Sequence, residues 1–400
     1  MTRAWIAFSI AVLLPASATA GPTVQVTVNG REIAAEVIAN QGGVCWFAEA
    51  DGRYTAVRVK DVHAFTPLRR PITPVSTVEM RASMRKEHGR EFDVQSIGRH
   101  VVVADRKIAR RAAMRCDEIN RAFRSYFGKR SVSVRQSEYP LVAVIVRDQA
   151  SFAKAARADG VTATSSLAGY YLRTTNRVLL YDPGYGRTAS AGTPEATVAR
   201  LPWTAVRSER ESPIRRLRPL PSPHPAGSLP NANLDATLVH ETVHQLAFNM
   251  GLHSRTGSNP KWVVEGLATM LEPDTVRRSI NSRDEVTRVN RERLAGFARR
   301  TRHDWQPGRL ATIVATDERF DRAALDAYAE AWGLTFFLAE TRSSKYTAYL
   351  RTLATRQTLH DSTPAERVTD FQRHFGTDLA RLEVKWLRYM DDLASRAGLD

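Results

Sequence analysis

One segment of the sequence combines metal-binding residue types at the spacing of a helical turn. Residues 238–246 read Leu-Val-His-Glu-Thr-Val-His-Gln-Leu, which places His240 and His244 four positions apart and Glu241 directly after the first histidine. In a helix these imidazoles lie on one side, one turn apart, where both nitrogens can reach the same ion. Histidine is a preferred zinc ligand. The segment therefore predicts one Zn2+ ion, with Glu241 as the general base that activates a water.

The flanking residues predict the helix that this site requires. Asn233 or Asp235 is suited to cap its N-terminus, and Gly251 to end it. The apolar residues recur at helical spacing as Ala236, Val239, Val243, Leu246 and Met250. One face of the helix would therefore pack on a core while the adjacent face carries the ligands.

A third metal ligand is expected from the next predicted helix, residues 260–272. Asn259 would cap this helix and Pro260 would occupy its first position. Glu265 lies inside it, and an antiparallel return through residues 251–259 would bring its carboxylate back to the ion. Two histidines, one glutamate and a water form an open, catalytic zinc site rather than a closed structural one.

These segments resemble the gluzincin clan of zinc peptidases. The His-Glu-x-x-His motif followed by Trp262–Ala268, which reads Trp-Val-Val-Glu-Gly-Leu-Ala, is similar to motifs of its peptidase-MA-like branch. Residues Leu238–Asn249 and the predicted hairpin 169–181 are more similar to a largely uncharacterised family of exported bacterial proteins. The resemblance covers about residue 91 to the C-terminus. It implies a zincin fold, in which a mixed sheet packs on the active-site helix, and hydrolysis of a peptide or protein substrate.

The resemblance also implies roles for residues outside these motifs. The edge strand of the sheet would border the cleft, and residues 177–181 are the candidate. Related enzymes stabilise the oxyanion with a Tyr or His from a later helix, so Tyr328 is the catalytic candidate, with simple packing or solvent exposure as its alternative. Better-known relatives have an Asp where this sequence has Thr269. The partner that orients a metal histidine would then be Thr269, Glu272 or a backbone carbonyl.

The first residues indicate export. Arg3 precedes an apolar run that is too short for a comfortable membrane span, and Ala18-Thr19-Ala20 is a small-x-small cleavage site. Residues 1–20 are therefore predicted to be a signal peptide, and the protein to be periplasmic or secreted. No later stretch of the sequence is long and apolar enough to predict a membrane helix.

The remaining patterns predict an α+β chain in several parts. Residues 21–66 alternate apolar and polar side chains, which predicts a small barrel-like antiparallel β module for attachment or for packing. Residues 67–90 are predicted to be a linker, residues 91–275 the zincin-like domain and residues 276–400 a helical C-terminal lobe. Residues 183–232, rich in Pro, Gly, Ser, Thr and Arg, are predicted to be a mobile lid or a disordered loop.

Charge and cysteine content restrict the partners. With 58 basic and 42 acidic residues, the formal net charge is +16. This charge favours an anionic cell-envelope polymer, or reflects only a well-solvated Arg-rich surface. Nucleic acid is not expected as a partner, because an exported protein leaves the compartment that contains it and because the sequence has no recognition motif. Cys45 and Cys116 have no CxxC spacing, which argues against a cysteine zinc site. The sequence does not decide whether the two cysteines form a disulfide.

The sequence thus predicts an exported zinc metallohydrolase, and through the resemblance a peptidase. The alternative is a zincin-fold protein that has lost turnover and binds cell-envelope polymers or proteins. The presence of Glu241 beside an intact ligand set argues against this alternative, since the general base is usually the first group that a degenerate site loses.

Overall fold

The computed structural model describes residues 21–28, 30–130, 132–164, 167–184, 229, 231–356 and 360–399. The predicted signal peptide and nearly all of the predicted insertion at 183–232 lie outside these residues. The chain divides into two compact units, Met1–Pro74 and Val75–Asp400. Two sheets and many helices confirm the predicted α+β class. Among the described residues, no helix has the length and apolar character needed to cross a membrane.

The first unit is a five-stranded antiparallel sheet. Its strands are β1 Thr23–Val28, β2 Arg31–Gln41, β3 Val44–Glu49, β4 Tyr54–Arg58 and β5 Val62–Pro67, in the order β4-β3-β2-β1-β5. Because side chains alternate between the two faces of a strand, Val24, Val26, Ile33 and Phe47 point to the same side and form one small core. The predicted antiparallel β module is confirmed, and Cys45 is a buried free thiol within it.

The second unit contains a mixed sheet. Its strands are β6 Asp93–Ile97, β7 His100–Ala104, β8 Leu141–Val146, β9 Gly169–Leu172 and β10 Arg177–Tyr181, in the order β6-β7-β8-β10-β9. The three central strands run parallel, and both outer strands pair antiparallel. All six residues of β8 are buried because helices cover both faces of the sheet.

Four helices surround this sheet: α1 Thr77–His88, α2 Ala109–Gly128, α3 Gln149–Ala158 and α4 Ala232–Asn249. Helices α2 and α4 pack on one face, and α1 and α3 on the other. The prediction of a linker at residues 67–90 is wrong for α1. Ser76 and Glu79 form a capping box at its start, and only Met80 and Met84 are buried in it, so its apolar stripe is too short to reveal a helix.

The rest of the chain is helical, as predicted. Its helices are α5 Lys261–Leu271, α6 Asp274–Arg278, α7 Arg291–His303, α8 Arg309–Ala315, α9 Arg319–Arg322, α10 Ala324–Thr341, α11 Ser343–Ala354, α12 Pro364–Phe375 and α13 Leu379–Arg396. Helix α10 is central, with Trp332 fully buried, and it packs closely against α5. Only a glycine permits this approach at Gly266, since a Cβ there would lie 2.5 Å from the Ala331 carbonyl oxygen.

One histidine outside the predicted metal-binding motif lies in the core. His100 on β7 is 1% exposed, its Nε2 atom has no hydrogen-bond partner, and burial lowers its pKa to about 4. The folded state therefore resists protonation that the unfolded state accepts below pH about 6.5. The contribution of His100 to the free energy of unfolding is fully present above that pH. It decreases as the pH falls toward 4, because the unfolded chain then binds the extra proton.

We expect this histidine to contribute about 3 kcal/mol of stability loss between pH 7 and pH 4. Urea denaturation of the wild type and of His100→Gln at both pH values measures the contribution, because all other titrating groups are shared. The variant should show the smaller pH dependence. Equal pH dependence in the two proteins would show that His100 accepts a proton in the folded state.

Candidate metal centre

Helix α4 carries the predicted metal-binding motif in a buried position. Its N-terminus is capped by Asn231, whose Oδ1 accepts hydrogen bonds from the amides of Asn233 and Leu234. The predicted caps Asn233 and Asp235 are therefore wrong. Asp235 instead pairs with the buried guanidinium of Arg115 on α2, with a 2.6 Å ion pair. The helix ends at Asn249, and Gly251 follows it with a φ of +83°.

Three side chains from α4 and α5 converge as the sequence predicts. The Nε2 atoms of His240 and His244 are 3.0 Å apart, and Glu265 Oε2 lies 3.3 Å and 3.5 Å from them. Ligands about 2.0–2.1 Å from a tetrahedral ion lie roughly 3.3 Å from one another. The spacing and the two-nitrogen, one-oxygen donor set therefore fit a metal ion, and His240, His244 and Glu265 could hold one.

Electrostatics within this group favour a charged carboxylate. Burial by itself raises the pKa of Glu265, but His244 and His240 outweigh it and hold that pKa far below its ordinary value. Burial likewise lowers the pKa of His240, whereas Glu265 and Glu272 raise it well above the usual range. The carboxylates thus attract positive charge to the point where the three donors meet.

Glu272 orients the first histidine. Its Oε1 lies 2.6 Å from His240 Nδ1, and its Oε2 accepts a 3.3 Å hydrogen bond from Asn290 Nδ2, the residue that caps α7. The same amide donates to the Thr269 carbonyl at 3.1 Å. Thr269 Oγ1 donates to the Glu265 carbonyl within α5 and does not reach the histidines. Of the partners left open by the sequence, Glu272 therefore fulfils the orienting role.

Glu241 faces the edge of the sheet. Burial raises the pKa of its carboxyl, while His240, His244 and a hydrogen bond from the Tyr171 backbone lower it. Tyr171 belongs to β9, which is the edge strand next to β10. The prediction that residues 177–181 form the edge is therefore wrong. Those residues form β10, and β9, the other strand of the hairpin, pairs with the outer side of β10.

Tyr328 also lies close to the acidic side chains. The charge on Glu265, burial and the charge on Glu241 hold the pKa of this phenol well above its usual value. Its hydroxyl has no hydrogen-bond partner among the described residues. The oxyanion role of Tyr328 stays a prediction, for which a neutral phenol is the required form.

His253, which follows α4, is buried. It is 3% exposed, and its Nδ1 lies 2.9 Å from the Leu252 carbonyl oxygen. Burial and the charge of His244 lower its pKa to about 3. His253 therefore remains neutral at physiological pH and packs edge-on against Phe248.

A polar cluster that the sequence analysis missed locks α4 to the sheet. Gln245 Nε2 donates to the carbonyls of Val142 and Asn176 at 3.0 Å and 2.8 Å. Asn249 and Asn176 exchange two amide hydrogen bonds, and Asn176 adopts a φ of +57° in the turn between β9 and β10. Gln245 and Asn249 are polar residues four positions apart on α4, and this spacing was the sequence signal that could have revealed the cluster. The cluster fixes the edge strand relative to Glu241.

A family model described as "Protein of unknown function (DUF1570)" matches residues 235–360. The matched region contains the three metal-binding candidates His240, His244 and Glu265. It also contains Glu241, Glu272 and Tyr328. No curated protein shows a significant match to this chain.

Proposed function

We propose that this protein is a zinc metallohydrolase of the gluzincin type that cleaves peptides or proteins. The observation that carries the proposal is the convergence of His240, His244 and Glu265, with the buried Glu241 beside them. Two imidazoles, one carboxylate and an adjacent base suit zinc better than hard, oxygen-preferring cations. The order of α4 and α5 and the mixed sheet beside them support a zincin fold.

Each of these side chains has a distinct role in the proposed mechanism. Zinc, when bound, would supply a Lewis acid that polarises the scissile carbonyl and acidifies a water. Glu241 accepts the proton of that water and returns it to the leaving amine. Tyr328 donates its hydroxyl hydrogen to the developing oxyanion. Glu272 holds His240 in the tautomer that presents Nε2 toward the other two ligands.

The cellular setting is also a proposal. The signal-like first residues support export to the periplasm or beyond, and the +16 charge supports association with an anionic cell-envelope polymer. The substrate would then be a peptide or protein of that compartment.

Metal analysis and a broad peptide-substrate screen test the proposed function together. Purified protein should contain about one zinc per chain and should hydrolyse some members of the screen. Removing the metal with a chelator should abolish hydrolysis, and added Zn2+ should restore it. Protein that carries zinc and is inert toward every substrate would instead support the alternative of a zincin-fold binding protein without turnover.

A further inference from the structure

The buried arginines of the described residues differ in one respect. Four arginines are less than 9% exposed: Arg115, Arg277, Arg288 and Arg293. Arg115 pairs with Asp235 at 2.6 Å, Arg277 pairs with Asp274, and Arg288 pairs with Glu340 at 2.8 Å. Removing a guanidinium from water without a partner is costly, so a buried arginine normally has a carboxylate beside it.

Arg293 is the exception. Although it is 7% exposed, its side chain makes no ion pair or hydrogen bond within the described parts of the chain. Its one notable contact is with the ring of Tyr328, whose centroid lies 5.4 Å from the guanidinium carbon. This contact leaves the guanidinium nitrogens without an acceptor among the described residues, and none of them is fully enclosed. The guanidinium therefore has unused capacity to bind an anion.

Its position connects this capacity to the metal centre. Arg293 lies in the first turn of α7, three residues after the cap Asn290, which donates a hydrogen bond to Glu272. It also lines a cavity of about 520 Å3 between α7 and α10, together with Ala329, the neighbour of Tyr328. A cavity of this size accommodates a side chain or a chain terminus.

Arg293 places a positive charge beside Tyr328, among three nearby carboxylates. Glu265, Glu241 and Glu272 act on Tyr328 as negative charges, and Arg293 opposes them. An anionic substrate group near Tyr328 would meet Arg293 as a cationic partner. With Arg293 it would gain charge-assisted hydrogen bonds, for which a planar guanidinium and a carboxylate are well matched.

We infer that Arg293 binds a carboxylate of the peptide substrate beside Tyr328, and this inference rests on the proposed function. The carboxylate has two sources, the C-terminus of the peptide or an acidic side chain near the scissile bond. Both present the same group to the guanidinium, and matched peptides distinguish them.

Binding is measured by fluorescence anisotropy on the zinc-loaded E241Q variant, so that the readout does not depend on turnover. One peptide pair differs only in a free or amidated C-terminus, and a second only in Glu or Gln next to the scissile bond. We expect one carboxylate form to bind about 10- to 100-fold more tightly than its neutral partner. R293Q in the same background should lose that preference, and R293K should retain part of it.

R302Q is the matched control, because Arg302 lies on the same helix, is exposed and is not among the residues that line the cavity. It should keep the preference, and thermal melting and zinc content should show that R293Q remains folded and loaded. Equal binding of charged and neutral peptides, a preference unchanged in R293Q, or no peptide binding would overturn the inference. Carboxylate-selective binding together with an inert wild type would instead overturn the proposed hydrolysis and leave the role of Arg293 standing.

Discussion

Replacing Glu241 with glutamine is expected to lower kcat by about 10²- to 10⁴-fold, the usual contribution of a general base. The amide keeps the size of the side chain but cannot accept the proton of the attacking water. Zinc content should remain at one per chain, because Glu241 is not among the three convergent donors. Metal analysis of the purified variant, combined with kcat and KM on the best substrate of the peptide screen, measures both expectations.

Glu318→Gln is a suitable control for the loss of one carboxylate. Its side chain is 62% exposed and, within the described part of the chain, forms an ion pair with Arg322 alone, one turn further along. This variant should match the wild type in rate and zinc content. If Glu241→Gln hydrolysed peptides at the wild-type rate, Glu241 would have no role as a base, and another group would have to activate the water.

The local features of the site were predictable because they depend on short sequence spacing. Two histidines four apart specify a helical face, and Pro260 marks the start of α5, so the converging set of His240, His244 and Glu265 follows from the sequence. Tyr328 came only through the family resemblance. It lies beyond the range of any local pattern, and packing of α10 on α5 brings it near the acidic side chains.

Features that depend on long-range pairing were not predictable in the same way. The N-cap of α4 was misassigned because Asp235, a good cap by type, is used in an ion pair with Arg115. Glu272 was one of three candidates for the partner that orients a metal histidine, and only the fold, which places it 2.6 Å from His240 Nδ1, selects it. The edge strand was misassigned because a hairpin predicts which strands pair but not which of them lies outside.

Glu265→Gln is expected to weaken zinc binding more than a substitution of any residue that only positions the ligands. It removes the anionic ligand and leaves two neutral imidazoles 3.0 Å apart, without the charge that attracts the cation. Helix α5 should remain folded, because its packing on α10 depends on Gly266 and apolar neighbours rather than on this carboxylate. Competition with a chelator of known zinc affinity measures the change, and thermal melting in the presence and absence of zinc measures the lost stabilisation.

Glu272→Gln separates a ligand from a residue that positions one. It alters only the partner of His240 Nδ1, so zinc affinity should decrease by about 10- to 100-fold, less than in Glu265→Gln. Asn290 would still reach the amide oxygen of the new side chain, which keeps α7 in place. If Glu265→Gln bound zinc as tightly as the wild type while Glu272→Gln lost it, Glu272 rather than Glu265 would be the third ligand. The ion would then lie on the Nδ1 side of His240, away from His244 Nε2, and the geometry proposed for Glu241 would fail with it.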